Sequence, residues 1–414
     1  MSAAGSAVTT SKPLREMPSS PNRRLFYAGK LSGDVAYQIQ AVAVAWYVFT
    51  LQHRAFDLGL VGLALFLPAF AFALPAGIFS DRHERRAIVR AATLLEAACV
   101  VAFIAAIAAH VALLAAYLAI LAVVGSARAF GTPAERALLP GIVPPEDYVS
   151  AQATYSSLRQ LTVIGGPAIG GVLVGISTPF ALGVAACALI ASAFFLGALR
   201  TQRAADVRPP RWRDAFEGVR FIFSRPVVAG AISLDLFAVL FGGVTALLPA
   251  FADGVFSVGP AGLGALRSAP ALGAACVAVW IARRPLRRRV GPALLSAVAA
   301  FGAAIIAFGL SRHFALSLAL LALAGAADMV SVVIRSGLVQ LATPDAMRGR
   351  VNAVENVFIG ASNELGEFES GTLAAVVGVV PAVVAGGIGT LVIIALWSVF
   401  FPALRRADRI AQER

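Results

Sequence analysis

Charge is scarce in this sequence. Asp, Glu, Lys and Arg make up 14% of its 414 residues, against about 25% in an ordinary soluble domain. A soluble fold of this length could not cover its surface with so few charges. Cysteine and histidine are also few, at three and four copies. Cys99, Cys187 and Cys276 all lie in apolar runs without paired spacing, so they read as small core residues, with neither disulfide nor metal. His53, His83, His110 and His313 fall in loops or at the ends of apolar runs and form no metal pattern, which makes an intramembrane enzyme the least supported class. The sequence has no Gly-rich loop closing in Lys and Ser/Thr, so ATP is not the source of drive. Residues 1–22 are rich in Ser, Ala and Pro and lack the pattern of a cleavable signal, so a disordered cytoplasmic tail is expected there.

What the chain has is apolar length. It is 59% hydrophobic with a mean hydropathy of +0.82. Runs near the roughly 20 residues that cross a bilayer as a helix fall at 26–51, 58–78, 87–109, 111–130, 149–176 and 180–199. After an Arg- and Pro-rich break at 200–213, a second set falls at 227–251, 259–282, 290–310, 314–335, 351–376 and 383–404. The expected fold is therefore all-α and integral to the membrane, with about twelve spans in two six-helix units. The expected divisions are a tail at 1–22, a first bundle at 23–199, a linker at 200–226, a second bundle at 227–404 and a tail at 405–414.

Net charge is +12, from 34 Lys and Arg against 22 Asp and Glu. In a soluble protein this would suggest nucleic acid. Here the arginines gather in alternate loops, so the lipid bilayer is the partner and nucleic acid is not. Arginine-rich loops mark the cytoplasmic side. Arg23, Arg24, Arg82, Arg85, Arg86, Arg136, Arg348, Arg350, Arg405 and Arg406 belong to that set, while the opposite loops hold little beyond Arg54 and Arg312. Both termini are then cytoplasmic, as an even number of spans requires. Trp212, Phe216, Val219 and Phe223 share one helical face, which fits either a short interfacial helix or an early extension of the seventh span.

The halves match at an offset of about 200 residues. Gly125 pairs with Gly325, Pro144 with Pro344, Gly166 with Gly366, Gly171 with Gly371, Asp34 with Asp235 and Pro68 with Pro270. Such a repeat predicts two halves related along the membrane normal.

One loop carries more information than its basicity. Gly77-Ile-Phe-Ser-Asp81-Arg82-His-Glu-Arg85-Arg86 links the second and third runs. It resembles the signature loop between helices two and three of the major facilitator superfamily, departing from it at Glu84, where a small residue is usual. The resemblance implies a cytoplasmic gate built from Gly77, Asp81, Arg82, Arg85 and Arg86, facing Arg348 and Arg350 across the mouth. When that mouth closes, Asp81 is expected at the N-terminus of the eleventh helix, where the helix dipole favours an anion.

The fifth run contains Gly165-Gly166-Pro167-Ala-Ile-Gly170-Gly171. Pro167 removes a backbone donor and is expected to bend the helix. Read alone, this is a packing kink or a functional motif with equal weight. The order Gly166-Pro167-x-x-Gly170-Gly171 resembles the fifth-helix motif of the superfamily's proton-coupled exporters. Pro344-Asp-Ala-Met-Arg348-Gly-Arg350-Val-Asn-Ala353, Ser32-Gly-Asp34 and Leu247-Leu-Pro249 further resemble the branch that contains the bacterial enterobactin exporter and related secretion proteins. That branch implies export of a small molecule across the inner membrane, with no cofactor and no metal, by what is taken to be a monomer.

Ionisable residues inside spans are costly, and they are usually paired or functional. Asp34 and Asp235 are the leading candidates for proton coupling, with either a cationic cargo or Arg159 as the group that displaces the proton. The alternative is that both aspartates only fix packing. Glu364 and Glu367 share a helical face, with Glu369 pointing elsewhere, and such a pair can bind a cation or share a proton. Arg128 and Arg335 are read as snorkelling at helix ends or completing the gate. The leading function is a proton-driven exporter of a siderophore-, drug- or metabolite-like molecule. An uncoupled facilitator, an uptake transporter and a cargo-free scaffold are the alternatives, and the buried acids weigh against the scaffold.

Overall fold

A computed structural model describes residues 21–200, 212–284 and 288–408. Residues 1–20 of the expected 1–22 tail, the linker stretch 201–211, residues 285–287 and the C-terminal residues 409–414 lie outside the described residues, as do the side chains of Asp81, Trp212 and Phe216, while residues 21 and 22 already belong to the first helix.

The described chain is helical, with no strand. Its helices are α1 (Pro21–Gln52), α2 (Ala55–Arg82), α3 (Arg85–Ala108), α4 (Leu114–Arg136), α5 (Tyr148–Ile176), α6 (Thr178–Gly197), α7 (Trp212–Ser224) and α8 (Pro226–Gly242). A single turn α9 (Leu248–Ala250) follows, then α10 (Gly259–Arg283), α11 (Val290–Leu310), α12 (Phe314–Ala342), α13 (Asp345–Val377), α14 (Val379–Phe400) and the short α15 (Pro402–Arg405). Ten segments are long and apolar enough to cross a membrane. The 32-residue α1 and the 33-residue α13 are not among them. Gln38 and Gln40 interrupt α1, and Glu355, Glu364, Glu367 and Glu369 interrupt α13.

Most boundaries fall within a few residues of the apolar runs, but three expectations change. The seventh run is not one helix. It breaks at Gly243 and continues as a 3-10 turn, α9 and a π-helical stretch, Phe251–Val255. The Trp212–Ser224 stretch is a separate helix ended before Pro226, not an extension of the seventh span. It docks on α13, where Glu217 accepts from Arg350 at 2.5 Å and Val219 and Ile222 pack with Val351 and Val354. Among the cysteines only Cys99 is buried, while Cys187 and Cys276 are exposed. The apolar runs that hold those two turn a face outward, so apolar surroundings in sequence did not mean burial.

The halves repeat their packing. The α2–α4 pair corresponds to α10–α12, α3–α6 to α11–α14, and α1–α5 to α8–α13. Gly125 and Gly325 occupy the same place in their halves: a Cβ on either would strike the carbonyl of Leu65 or Pro270 on the neighbouring helix. Small residues let membrane helices approach this closely.

The two ends of the bundle differ. At the arginine-poor end one core runs through both halves, joining Val44 and Val48 of α1 to Leu247, Phe251, Leu263 and Leu266. His53 and Asp253 face each other across the same end at 3.5 Å. At the arginine-rich end the cores are separate, with Phe26, Ile88 and Leu139 in the first half and Leu234, Leu294 and Leu338 in the second. The halves are bound by two helix pairs, α5–α10 and α2–α13. In the first, a Cβ on Gly171 would lie 2.5 Å from the Pro260 carbonyl oxygen and 2.9 Å from Gly264 Cα. In the second, a Cβ on Gly371 would lie 2.8 Å from Gly59 N. Gly165 of α5, by contrast, has nothing within 4 Å of its Cβ position. The halves therefore meet at the arginine-poor end and part at the arginine-rich end.

Overpacking a filled contact costs about 1–3 kcal/mol. Gly171→Val is expected to lower the thermal unfolding midpoint in detergent, because backbone lies in its way. Gly165→Ala, facing open space, is expected to hold or raise it. Equal midpoints for the two variants would contradict this packing.

Candidate functional site

Between the halves lies a cavity with 650 Å³ of empty space, part of it open to solvent. Tyr37 and Gln40 of α1, Arg128 of α4, Arg267 of α10, and Glu364 and Glu367 of α13 supply its polar wall, and Val44, Val61, Leu65 and Leu121 supply apolar surface. The i,i+3 spacing of Glu364 and Glu367 puts both acids on one side of α13, as the sequence indicated. Gly62 of α2 makes room for them. Its Cβ position is 3.2 Å from one Glu367 carboxylate oxygen and 3.4 Å from one of Glu364. Glu369 is turned away and accepts from Ser370 at 3.4 Å.

The two cavity arginines differ. Arg128 is held by Glu96, Gln40 and the Tyr37 ring. Its Nε donates to Glu96 at 3.1 Å, its Nη2 donates to Glu96 and, at 3.2 Å, to Gln40, and its guanidinium lies 4.7 Å from the Tyr37 ring centre. It does not snorkel. A carboxylate on α3 holds it inside, where an unpaired charge is costly. Among the described residues, Arg267 Nη1 is buried without a hydrogen-bond partner. Arg267 lies within electrostatic reach of Glu367, as Arg128 does of Glu364. Nothing in the sequence sets Arg267 apart as a cavity residue.

Asp34 and Asp235 do not line this cavity. Each sits in a charge cluster within its own half. Lys30 donates to Glu135 at 2.6 Å and lies 4.0 Å from Asp34, whose carboxylate accepts from Tyr155 at 3.1 Å. The Asp34 cation is thus Lys30, one turn away on α1. Arg159 is on an exposed face of α5. In the other half, Arg335 pairs with Asp235 and lies 3.8 Å from Glu355. Arg335 is 5% exposed, so it too is no snorkelling residue. The clusters occupy matching places. Asp34 matches Asp235, Glu135 matches Arg335 and Tyr155 matches Glu355, each at an offset of 200 or 201. Each cluster holds two carboxylates and one cation, with the cation on α1 in one half and on α12 in the other. Lys30, Glu135 and Tyr155 were missed from sequence, although the i,i+4 spacing of Lys30 to Asp34 and the repeat offset were both visible there.

The gate residues are not brought together. Arg85 and Arg86 donate to carbonyls of their own half, Ala137 at 3.5 Å and Leu199 at 2.8 Å. Arg82 is exposed. Across the mouth, Arg348 pairs with Asp345 at 2.8 Å and Arg350 with Glu217. This matches a mouth that is open at the arginine-rich end. The fifth-helix motif is divided between two neighbours. Gly166 and Gly170 face Gln38, Ile39 and Val42 of α1, while the Pro167 carbonyl and Gly171 face Gly264 of α10. The helix runs through Pro167 without ending.

Removing one partner of a buried ion pair costs about 3–5 kcal/mol. Arg335→Met is expected to destabilise the purified protein by about that amount, and adding Asp235→Asn should recover part of the loss. Unfolding in detergent, followed by tryptophan fluorescence, measures it. A loss below about 1 kcal/mol would mean that the cluster is solvated.

Comparison with known proteins agrees with this arrangement. Residues 12–414 match the transmembrane secretion effector family of the major facilitator superfamily. The chain is 28% identical over 402 residues to the enterobactin exporter EntS of Escherichia coli O1:K1 / APEC, covering 94% of each. It is 27% identical over 389 residues to EntS of Shigella dysenteriae serotype 1, covering 91% of each. Among solved structures, an inward-facing bacterial homologue of the lysosomal transporter Spinster superposes with a TM-score of 0.72 at 16% identity, covering 94% of this chain and 98% of that one. An inward-facing bacterial homologue of the iron transporter ferroportin gives 0.71 at 15% identity, covering 94% and 100%. With the family match spanning nearly the whole chain, this protein belongs to the transmembrane secretion effector family of major facilitator superfamily transporters.

Proposed function

We propose that this protein is a secondary active exporter that moves a small molecule across the bacterial cytoplasmic membrane by alternating access, in exchange for protons. The observation that carries this reading is the Glu364–Glu367 pair, two acids against Gly62 in a cavity between halves that are joined at one end only. Two neighbouring carboxylates removed from bulk water hold a proton between them more readily than two negative charges. A cargo group that displaces the proton from this pair couples the two fluxes.

In this reading α1 to α6, α8 with its broken end, and α10 to α14 make twelve spans. The arginine-rich end, with both termini, faces the cytoplasm. Arginine bias supports that orientation. Export is supported by the Gly166-Pro167-x-x-Gly170-Gly171 order and by relatives named as enterobactin exporters. A siderophore-, drug- or metabolite-like cargo suits a wall that offers Tyr37, amide, cation and carboxylate together. In each three-charge cluster the surplus carboxylate, at Asp34 in the first half and Glu355 in the second, gives the proton a stop between the cavity and the cytoplasm. When the cytoplasmic mouth closes, Asp81 meets the N-terminus of α13 near Arg348 and Arg350, an interaction of about 0.3–1 kcal/mol.

The cargo is identified first, by an untargeted comparison of medium from deletion and overexpressing cells. Its accumulation in everted vesicles should then collapse on adding a proton uncoupler. Glu367→Gln should abolish gradient-driven accumulation while cargo exchange down its own gradient persists. Accumulation indifferent to the uncoupler would make the protein a facilitator. Full coupling in Glu367→Gln with none in Asp34→Asn would move the proton site to the α1 cluster. Independently, Asp81→Asn should lower cysteine cross-linking across the cytoplasmic mouth, and unchanged cross-linking would remove Asp81 from the gate.

A further inference from the structure

An open cleft with 800 Å³ of empty space lies between α3 and α6, at the arginine-rich end of the first half. Its polar wall is Glu84, Arg86 and Arg90, and its apolar wall is Ala87, Ala91 and Leu94. None of these residues lines the cavity between the halves.

At the matching place in the second half, backbone meets backbone among the described residues. There Gly291 of α11 lies directly against the chain that leaves α14. A Cβ on it would strike the Leu404 carbonyl oxygen, and its N–H donates to the Ala407 carbonyl at 2.9 Å. Arg86 lies in the first turn of α3, as Gly291 does in α11, and Leu199 follows α6, as Leu404 follows α14. Among the described residues of the first half no backbone hydrogen bond joins these two places. The Arg86 side chain reaches the Leu199 carbonyl at 2.8 Å instead, and the cleft is the gap it spans.

The cleft carries one uncompensated positive charge. Arg86 pairs with Glu84 at 2.7 Å. Arg90 is exposed, its stem lies on Gly197, and among the described residues its guanidinium has neither an ion pair nor a hydrogen bond. A Cβ on Gly197 would come within 3.1 Å of Arg90 Cδ, so the absence of a side chain on α6 is what lets the arginine lie across the groove. The Glu84 side chain does not cap α3. The first amides of that 24-residue helix add their partial positive charge at the same end. From Arg90 the wall continues along α3 as exposed Ala91 and Leu94, an apolar track running toward the middle of the span.

We propose that this cleft binds an anionic phospholipid, with the headgroup phosphate held by Arg90 and Arg86 and an acyl chain lying over Ala87, Ala91 and Leu94. A cation at the membrane edge attracts the phosphate, and a basic pocket between spans on that side is the setting in which anionic headgroups are held. The apolar track selects a lipid over free phosphate, because a soluble anion would leave Ala91 and Leu94 uncovered. The lipid fills in the first half a gap that backbone contact closes in the second.

The test uses the full chain, purified in mild detergent and stripped of lipid. Phosphatidylglycerol or phosphatidylcholine is added, and retained lipid is counted by native mass spectrometry. Phosphatidylglycerol is expected to be retained over phosphatidylcholine. Arg90→Gln should cut its retention about fivefold, the contribution of one arginine at an anionic lipid surface. Arg90→Lys should keep most of it, and Arg405→Gln, elsewhere on the same end, should keep all of it. Arg90 is exposed, so loss of folding does not confound the variant, and gel filtration checks this. Equal retention of the two lipids, or Arg90→Gln indistinguishable from the parent, overturns the proposal. So does release of phosphatidylglycerol by millimolar inorganic phosphate, which would make the cleft a site for the free anion.

Discussion

Backbone-to-backbone contact through four glycines holds the two halves together. Gly171 against Gly264 joins α5 to α10, and Gly59 against Gly371 joins α2 to α13. Without a hydrophobic effect between helices in lipid, association rests on close van der Waals packing, and only glycine brings backbones this near. Both contacts lie toward the arginine-poor end, where a single apolar core crosses between the halves. Because the join is confined to one end, the rest of the interface is free to part, and the cavity is the space that results. His53 and Asp253 add a charged contact at the joined end. With both partners well exposed, it contributes little beside the packing.

That geometry decides where polarity can sit. The long helices that are not apolar enough to pass as simple spans, α1 and α13, supply Tyr37, Gln40, Glu364 and Glu367 to the cavity wall. A span facing lipid cannot hold such groups, since each would lose its water without gaining a partner. The loss of apolar character in these helices and the presence of the cavity are one fact seen in sequence and in space. Deeper in each half the arrangement is different. Lys30, Asp34 and Glu135 form one cluster, and Asp235, Arg335 and Glu355 form its counterpart. The repeat has kept the balance of two acids to one base while moving the base from one helix to another. An ion cluster tolerates that exchange, because its energy depends on the sum of charges in a small volume and not on which backbone supplies each of them.

The linker helix belongs to this mechanics as well. α7 is bound to the start of α13 through Glu217 and Arg350 and through the Val219, Ile222, Val351 and Val354 cluster. Gly218 lets it sit against the Arg350 carbonyl. Motion of α13 at the open mouth therefore carries the linker with it, and the connection between the halves is fastened to one of the helices that line the cavity.

By itself the sequence determined the all-helical membrane class, the approximate limits of the long helices and the family. Apolar run length, arginine placement and glycine-bearing motifs are local properties of the chain, and the bilayer imposes the same length on every span. It also placed Glu364 and Glu367 on one face, because i,i+3 spacing fixes that in any α-helix. The partners were decided only in the tertiary structure. Asp34 is satisfied by Lys30 and Tyr155 and not by Arg159, Arg128 is held by Glu96, and Arg335 by Asp235. Which of several buried charges meet depends on helix rotation and on the distance at which glycines let neighbours approach, and these are set by packing of the whole bundle. The same reason hid the docking of α7 on α13 and the cleft at Arg90, each of which exists only where two helices far apart in the chain come side by side.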